Sequence, residues 1–132
     1  MSQENVELVR RGHEAFEQGD LSAALGLLDP EVVCYTAAPL PDPDTYHGTE
    51  GFLRWFARWT EGFDDYVQHA EEFVDAGEHV IARVYQRGSG AQSGAPVESR
   101  FWFLHTLRNG KIVRMGVHAS EAQALEAARL RE

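Results

Sequence analysis

Residues Val97 to Val117 carry the pattern that most restricts this chain: a long β-hairpin whose apolar face is interrupted by one histidine. Val97, Phe101, Phe103, His105 and Leu107 alternate with Glu98, Arg100, Trp102, Leu104 and Thr106, and a period of two is the signature of a half-buried strand. Arg108-Asn109-Gly110 suits a three-residue turn, with Gly110 taking a positive φ. That turn predicts Leu107 opposite Lys111, His105 opposite Val113, Phe103 opposite Met115 and Phe101 opposite Val117. One face is then hydrocarbon apart from Ser99 near its far end and His105 in its middle. His105 is either a satisfied core residue or the working group of a pocket.

The rest of the sequence supplies elements for such a hairpin to pack against. Val6, Val9, His13 and Phe16 fall at helical spacing, and Gly19 closes that helix. Asp20 caps a short second helix containing Leu21, Leu25 and Leu28, and Asp29-Pro30 turns the chain. Val32 to Thr36 is the first strand. Ala37 to Gly48, with three prolines, is expected as a long loop, and loops of that length in a small domain carry function. Thr49 or a neighbour caps a third helix, in which Phe52, Trp55, Phe56 and Trp59 share a face. Strands are expected over roughly 66–74 and 79–87. The glycine-rich stretch 88–95 then leads into the hairpin; without a Gly-Lys-Ser/Thr ending or a following helix, it is a flexible connection and not a phosphate loop. Ser120 and Gln123 have capping-box spacing for a last helix.

Helices gathered on one side of an antiparallel sheet predict a single α+β domain over residues 1–132. Strands of this length twist, and the sheet curls around the aromatic third helix to leave a conical interior. The 21 acidic side chains outnumber the 12 basic ones, giving a net charge of −9, which disfavours nucleic acid and anionic membranes as partners. Cys34 is the only cysteine, so neither a disulfide framework nor a cysteine metal cluster is available. The histidines show no HxxxH or HxH spacing, and no metal or cofactor is expected. The first residues lack signal-peptide features, which predicts a cytoplasmic protein.

Phe16-Glu17-Gln18-Gly19-Asp20-Leu21, Leu27-Leu28-Asp29-Pro30-Glu31-Val32, His47-Gly48 and Thr106-Leu107-Arg108-Asn109-Gly110-Lys111-Ile112 together resemble the nuclear-transport-factor-2-like superfamily, and more closely its SnoaL-like branch. The resemblance spans nearly the whole chain. It implies a cone with a pocket between sheet and helices, and a homodimer formed through the outer face of the sheet. It implies no single activity, because this fold hosts isomerases, dehydratases, epoxide hydrolases, cyclases and non-catalytic binding modules. The ketosteroid-isomerase base would fall at or near Tyr35, its tyrosine donor near Gly12 or His13, and its protonated aspartate near Phe103; none matches. Arg83 could stand for the arginine of limonene-type epoxide hydrolases, but no aspartate accompanies it on the interior strands. The acidic base of SnoaL-type cyclases would fall near His105.

His105 is therefore the candidate base, since an imidazole on an apolar face is held neutral by desolvation. Tyr35, expected to point inward with Val33 and Ala37, is a candidate hydroxyl donor, the alternative being simple packing. His13, on the apolar stripe of the first helix, either packs in the core or orients a ligand beside His105. The candidate pocket walls are Trp55, Phe56, Trp59, Phe101, Phe103 and Met115, with Arg83 included if it faces inward; outside, it is an ordinary surface arginine. Walls of this kind suit a small, flat, apolar molecule. The expected activity is cofactor-free isomerisation, cyclisation, dehydration or hydrolysis, the alternatives being a ligand-binding protein or an interaction module. Trp102 on an apolar outer face completes the case for a dimer.

Overall fold

The computed structural model describes residues 2–130. Helix α1 (Ser2–Glu17) buries Val6, Val9 and His13 along one stripe. Gly19, at φ 79°, ends its turn, and Asp20 caps α2 (Leu21–Leu25) by accepting the Ala23 N–H at 3.1 Å. Strand β1 (Leu28–Thr36) leads to β2 (Asp44–His47), then α3 (Gly48–Thr60). Strands β3 (Phe63–Ala76), β4 (His79–Gly90), β5 (Pro96–Arg108) and β6 (Lys111–His118) follow, and α4 (Glu121–Leu130) closes the order. The four later strands and four helices match the expected α+β arrangement.

The six strands lie in the order β2-β1-β6-β5-β4-β3, a curved sheet that does not close. Every neighbouring pair is antiparallel except β1 and β6, which run parallel. The expectation of a purely antiparallel sheet is corrected there. Part of the supposed loop is also ordered: β2 pairs with β1 from Val33 opposite His47 to Thr36 opposite Asp44. The glycine-rich stretch is likewise no loose linker. β4 runs to Gly90, and Gly90 N–H bonded to Ala95 O at 2.8 Å closes a tight turn into β5.

The hairpin is present in a shifted register. Asn109 and Gly110, at φ 52° and 74°, form a two-residue turn with Arg108 opposite Lys111, the I′ geometry that Asn-Gly favours. A bulge then separates Leu107↔Ile112 from Thr106↔Arg114, leaving Val113 as the extra residue. Ile112 therefore joins the inner face, and Val113 lines an outer cleft. Met115 and Val117 stay inside but face His105 and Phe103, one pair along from the expected partners.

The inner face of the sheet and the stripes of α1 and α3 make the main core. Val80, Val84, Phe101 and Val117 are almost wholly enclosed there. Burial of each such side chain contributes roughly 1.5–3 kcal/mol. On the outer face α4 covers Ile81 and Leu104 with Ala124 and Ala128. A part of the apolar outer surface is thus filled from within the chain. Among the described residues no helix is long and apolar enough to cross a membrane.

Candidate functional site

Strand alternation puts Phe101, Phe103 and His105 of β5 side by side on the concave wall, with Met115 beside His105 on β6. Helix α1 brings His13 down onto this wall, and α3 roofs it with Trp55, Phe56 and Trp59. Together they enclose a chamber of about 70 Å³. His13, His105 and six of the seven expected wall residues line it: Trp55, Phe56, Trp59, Phe101, Phe103 and Met115. Among the described residues no charged side chain lines it, apart from what the two imidazoles could carry.

The two histidines are bonded to each other. Nε2 of His13 lies 3.3 Å from Nε2 of His105, and Nδ1 of His105 lies 3.1 Å from the Val80 carbonyl. A carbonyl only accepts, so His105 carries its proton on Nδ1 and offers a lone pair at Nε2. His13 must then donate its Nε2–H to that lone pair. With the rings at a 5.2 Å centroid separation, the two nitrogens meet almost nose to nose. His105 is 1% exposed and His13 is 8% exposed. Burial, with a smaller contribution from the neighbouring His105 ring, drives the His13 pKa down to about 3. Burial also takes His105 down to about 4, against the raising effect of its backbone bonds to Val80 and Phe103. Both rings are neutral at pH 7.

Two of the expected site residues lie elsewhere. Tyr35 is on the outer face, because Val32, Cys34 and Thr36 occupy the inward positions of β1. Its ring lies over Gly116 of the adjoining strand, where a Cβ would overlap it. Its hydroxyl is 2.7 Å from Nε2 of His118, and the Arg114 guanidinium stacks 4.7 Å from its ring centroid. Tyr35 therefore cannot serve the chamber. Arg83 also points outward, paired with Glu71 at 3.3 Å and Glu72 at 3.7 Å, with its side chain 39% exposed. The odd-numbered positions of β4 carry Ile81, Arg83 and Tyr85 on the side opposite Val80, Ala82 and Val84.

A polar network around Trp59 was not foreseen from the sequence. Gln86 is buried and accepts from Trp59 Nε1 at 2.8 Å and from Tyr66 OH at 2.7 Å, while donating to Ser99 Oγ at 3.0 Å. Gln68 donates to Tyr66 OH at 3.0 Å and touches the chamber. Trp55 is tied by its indole N–H to Thr36 Oγ1 at 2.9 Å. Ser99 on the apolar face was the one visible signal of this network. Among the described residues no group of three His, Cys, Asp or Glu could hold a metal. Burial raises the Cys34 thiol to about 12, so it is an inert core residue.

Solved structures share this architecture. A nuclear-transport-factor-2-like protein from Burkholderia thailandensis E264 superposes with a TM-score of 0.78 at 23% identity, covering 96% of each chain. A proposed SnoaL-like polyketide cyclase from Jannaschia sp. CCS1 gives 0.74 at 20% identity, covering 96% of this chain and 91% of its own. A protein with a ketosteroid-isomerase-like fold from Catenulispora acidiphila, in complex with trimethylamine, gives 0.70 at 19% identity, covering 91% and 90%. At such identities the likeness is one of fold. No protein of curated function matches the sequence. The sequence profile of the SnoaL-like domain matches residues 9–115, and this chain belongs to that family.

Proposed function

We propose that the chain binds a small, neutral, mostly apolar molecule in the chamber, with the His13–His105 pair as its polar contact. The observation that carries this reading is the pair itself: two enclosed imidazoles, both neutral, set in a wall of rings and aliphatic groups. Buried polar groups of this kind are costly unless bonded, and concave sites with a few convergent polar atoms are where ligands are held. The size of the chamber limits the ligand. It has about 70 Å³, against roughly 150 Å³ for an engineered apolar cavity that holds benzene. A single ring enters only if the half-buried Phe16 and Phe56, in contact at 4.9 Å, part at the open side. The trimethylamine complex supports the scale, since a fold of this kind there accompanies a molecule of only a few heavy atoms.

A second reading, proton-transfer catalysis at His105, is favoured by the shared proton line and by the cyclase-named neighbour. Against it stands the weak basicity of both rings, since a general base works best with a pKa near the operating pH. Binding is therefore the primary reading. Benzene titrated against the protein should shift NMR signals of Phe103, Met115 and Val80 and leave those of Tyr35 and Arg83 unmoved. If neither benzene nor a one-ring molecule with a polar group moves the inner-face signals at any concentration, the chamber is a filled core and the reading fails. We also propose that the outer face beside α4, where Trp102 is only partly covered, pairs with a second copy; sedimentation of the intact chain as a dimer is expected, and a monomer would overturn it.

A further inference from the structure

We infer that the chamber selects one-ring molecules bearing a single hydroxyl, phenols in chemical class, and seats that hydroxyl between His13 and His105. The inference rests on the binding reading above and narrows it. Its warrant is the direction of the proton line. Val80 O fixes the proton of His105 on Nδ1, so the pair presents one donor, His13 Nε2–H, and one acceptor, His105 Nε2. A ligand that separates the two rings leaves both unpaired unless it replaces both bonds. A hydroxyl oxygen accepts from His13 and its hydrogen donates to His105, so one atom satisfies both. A carbonyl or ether only accepts, which strands the His105 lone pair in an apolar wall. A hydrocarbon satisfies neither, and leaving buried polar groups unmade is what costs affinity.

The rest of the molecule follows from the walls. Phe103 meets His13, His105, Phe101 and Trp55, and Phe101 meets Trp59, edge to face or tilted at 5.1–5.8 Å, and a further ring extends that packing. At about 70 Å³ the chamber takes one ring only once Phe16 and Phe56 part at the open side, and a fused pair demands a larger opening still. The ligand stays neutral, because a chamber that holds both imidazoles uncharged penalises a phenolate or an ammonium in the same way.

The test uses the intact protein and four probes: phenol, anisole, benzene and 2-naphthol, each titrated at pH 7 and followed by NMR at the His13 and His105 ring signals. Phenol should bind at least about tenfold more tightly than anisole or benzene, the scale of one good hydrogen bond, and 2-naphthol should bind more weakly than phenol. Equal affinities for phenol, anisole and benzene would overturn the hydroxyl assignment while leaving the binding reading intact. Tighter binding of 2-naphthol than of phenol would overturn the one-ring limit. Binding by none of the four would remove both the inference and the reading beneath it. His105→Leu provides the internal check: phenol should lose its advantage over benzene, and a retained advantage would place the hydroxyl elsewhere.

Discussion

His105 and His118 sit on opposite faces of one sheet, each with a ring nitrogen bonded to another side chain, yet their surroundings make them different objects. His105 meets a second imidazole among aromatic rings, and both are held neutral by burial. His118 meets the Tyr35 hydroxyl in a cleft shared with Arg114, Arg108 and Glu78, and its pKa is lowered by partial burial alone. The sheet separates them by parity: odd positions on β5 look inward, whereas on β6 His118 falls outside. A histidine in this fold is thus read by its face before its neighbours. The inner wall is where packing dominates, and the outer wall is where charge and hydrogen bonding do.

That contrast is easiest to break by mutation. Phe101→Ala on the inner wall should cost about 3–5 kcal/mol in chemical denaturation, since it removes an enclosed ring. A loss under about 1 kcal/mol would mean that the chamber collapses freely. On the outer wall, Gly116→Ala should cost about 1–3 kcal/mol because the new Cβ meets the Tyr35 ring. Tyr35→Ala combined with it should recover part of that loss, and strict additivity of the two would refute the contact.

Acid sharpens the comparison further. The folded pKa values of about 3 and about 4 lie below the ordinary 6.5, so the unfolded chain binds more protons between those limits. Stability from these two rings is complete above pH 6.5 and is lost as pH falls toward 4. The slope is about 1.4 kcal/mol per pH unit for each ring. His13→Phe should flatten the measured stability profile in that window, and an unchanged slope would contradict the account. Arg83→Ala should have the smallest effect, under about 1 kcal/mol, because its ion pairs are solvent-exposed. A larger loss would show that Arg83 reaches the interior.

Much of this architecture was legible in residue order, since the α1 stripe, the aromatic face of α3 and the alternation of β5 each bury a clear side. The failures share a cause. Val32-Val33-Cys34-Tyr35-Thr36 has no polar alternation, so its parity was open, and only Gly116 across the parallel pairing reveals where the Tyr35 ring goes. β4 is apolar on both faces at Ile81 because α4 covers the outside, which hid the orientation of Arg83. Arg108-Asn109-Gly110 is compatible with two turns; the choice between them moved the partner of Leu107 by one residue, and the bulge at Val113 moved those of His105 and Phe103 by a second. Gln86 and Gln68 gave no local sign, because their role depends on Trp59 and Tyr66 arriving from other elements.

The central claim is a neutral imidazole pair sealed against the oily side of the sheet. Long-range proton–nitrogen NMR of the histidine rings across pH tests it directly. The account predicts His105 protonated at Nδ1, His13 at Nε2, and no titration of either until the pH approaches 4. Titration of both rings near 6.5, as for histidines in water, would contradict it.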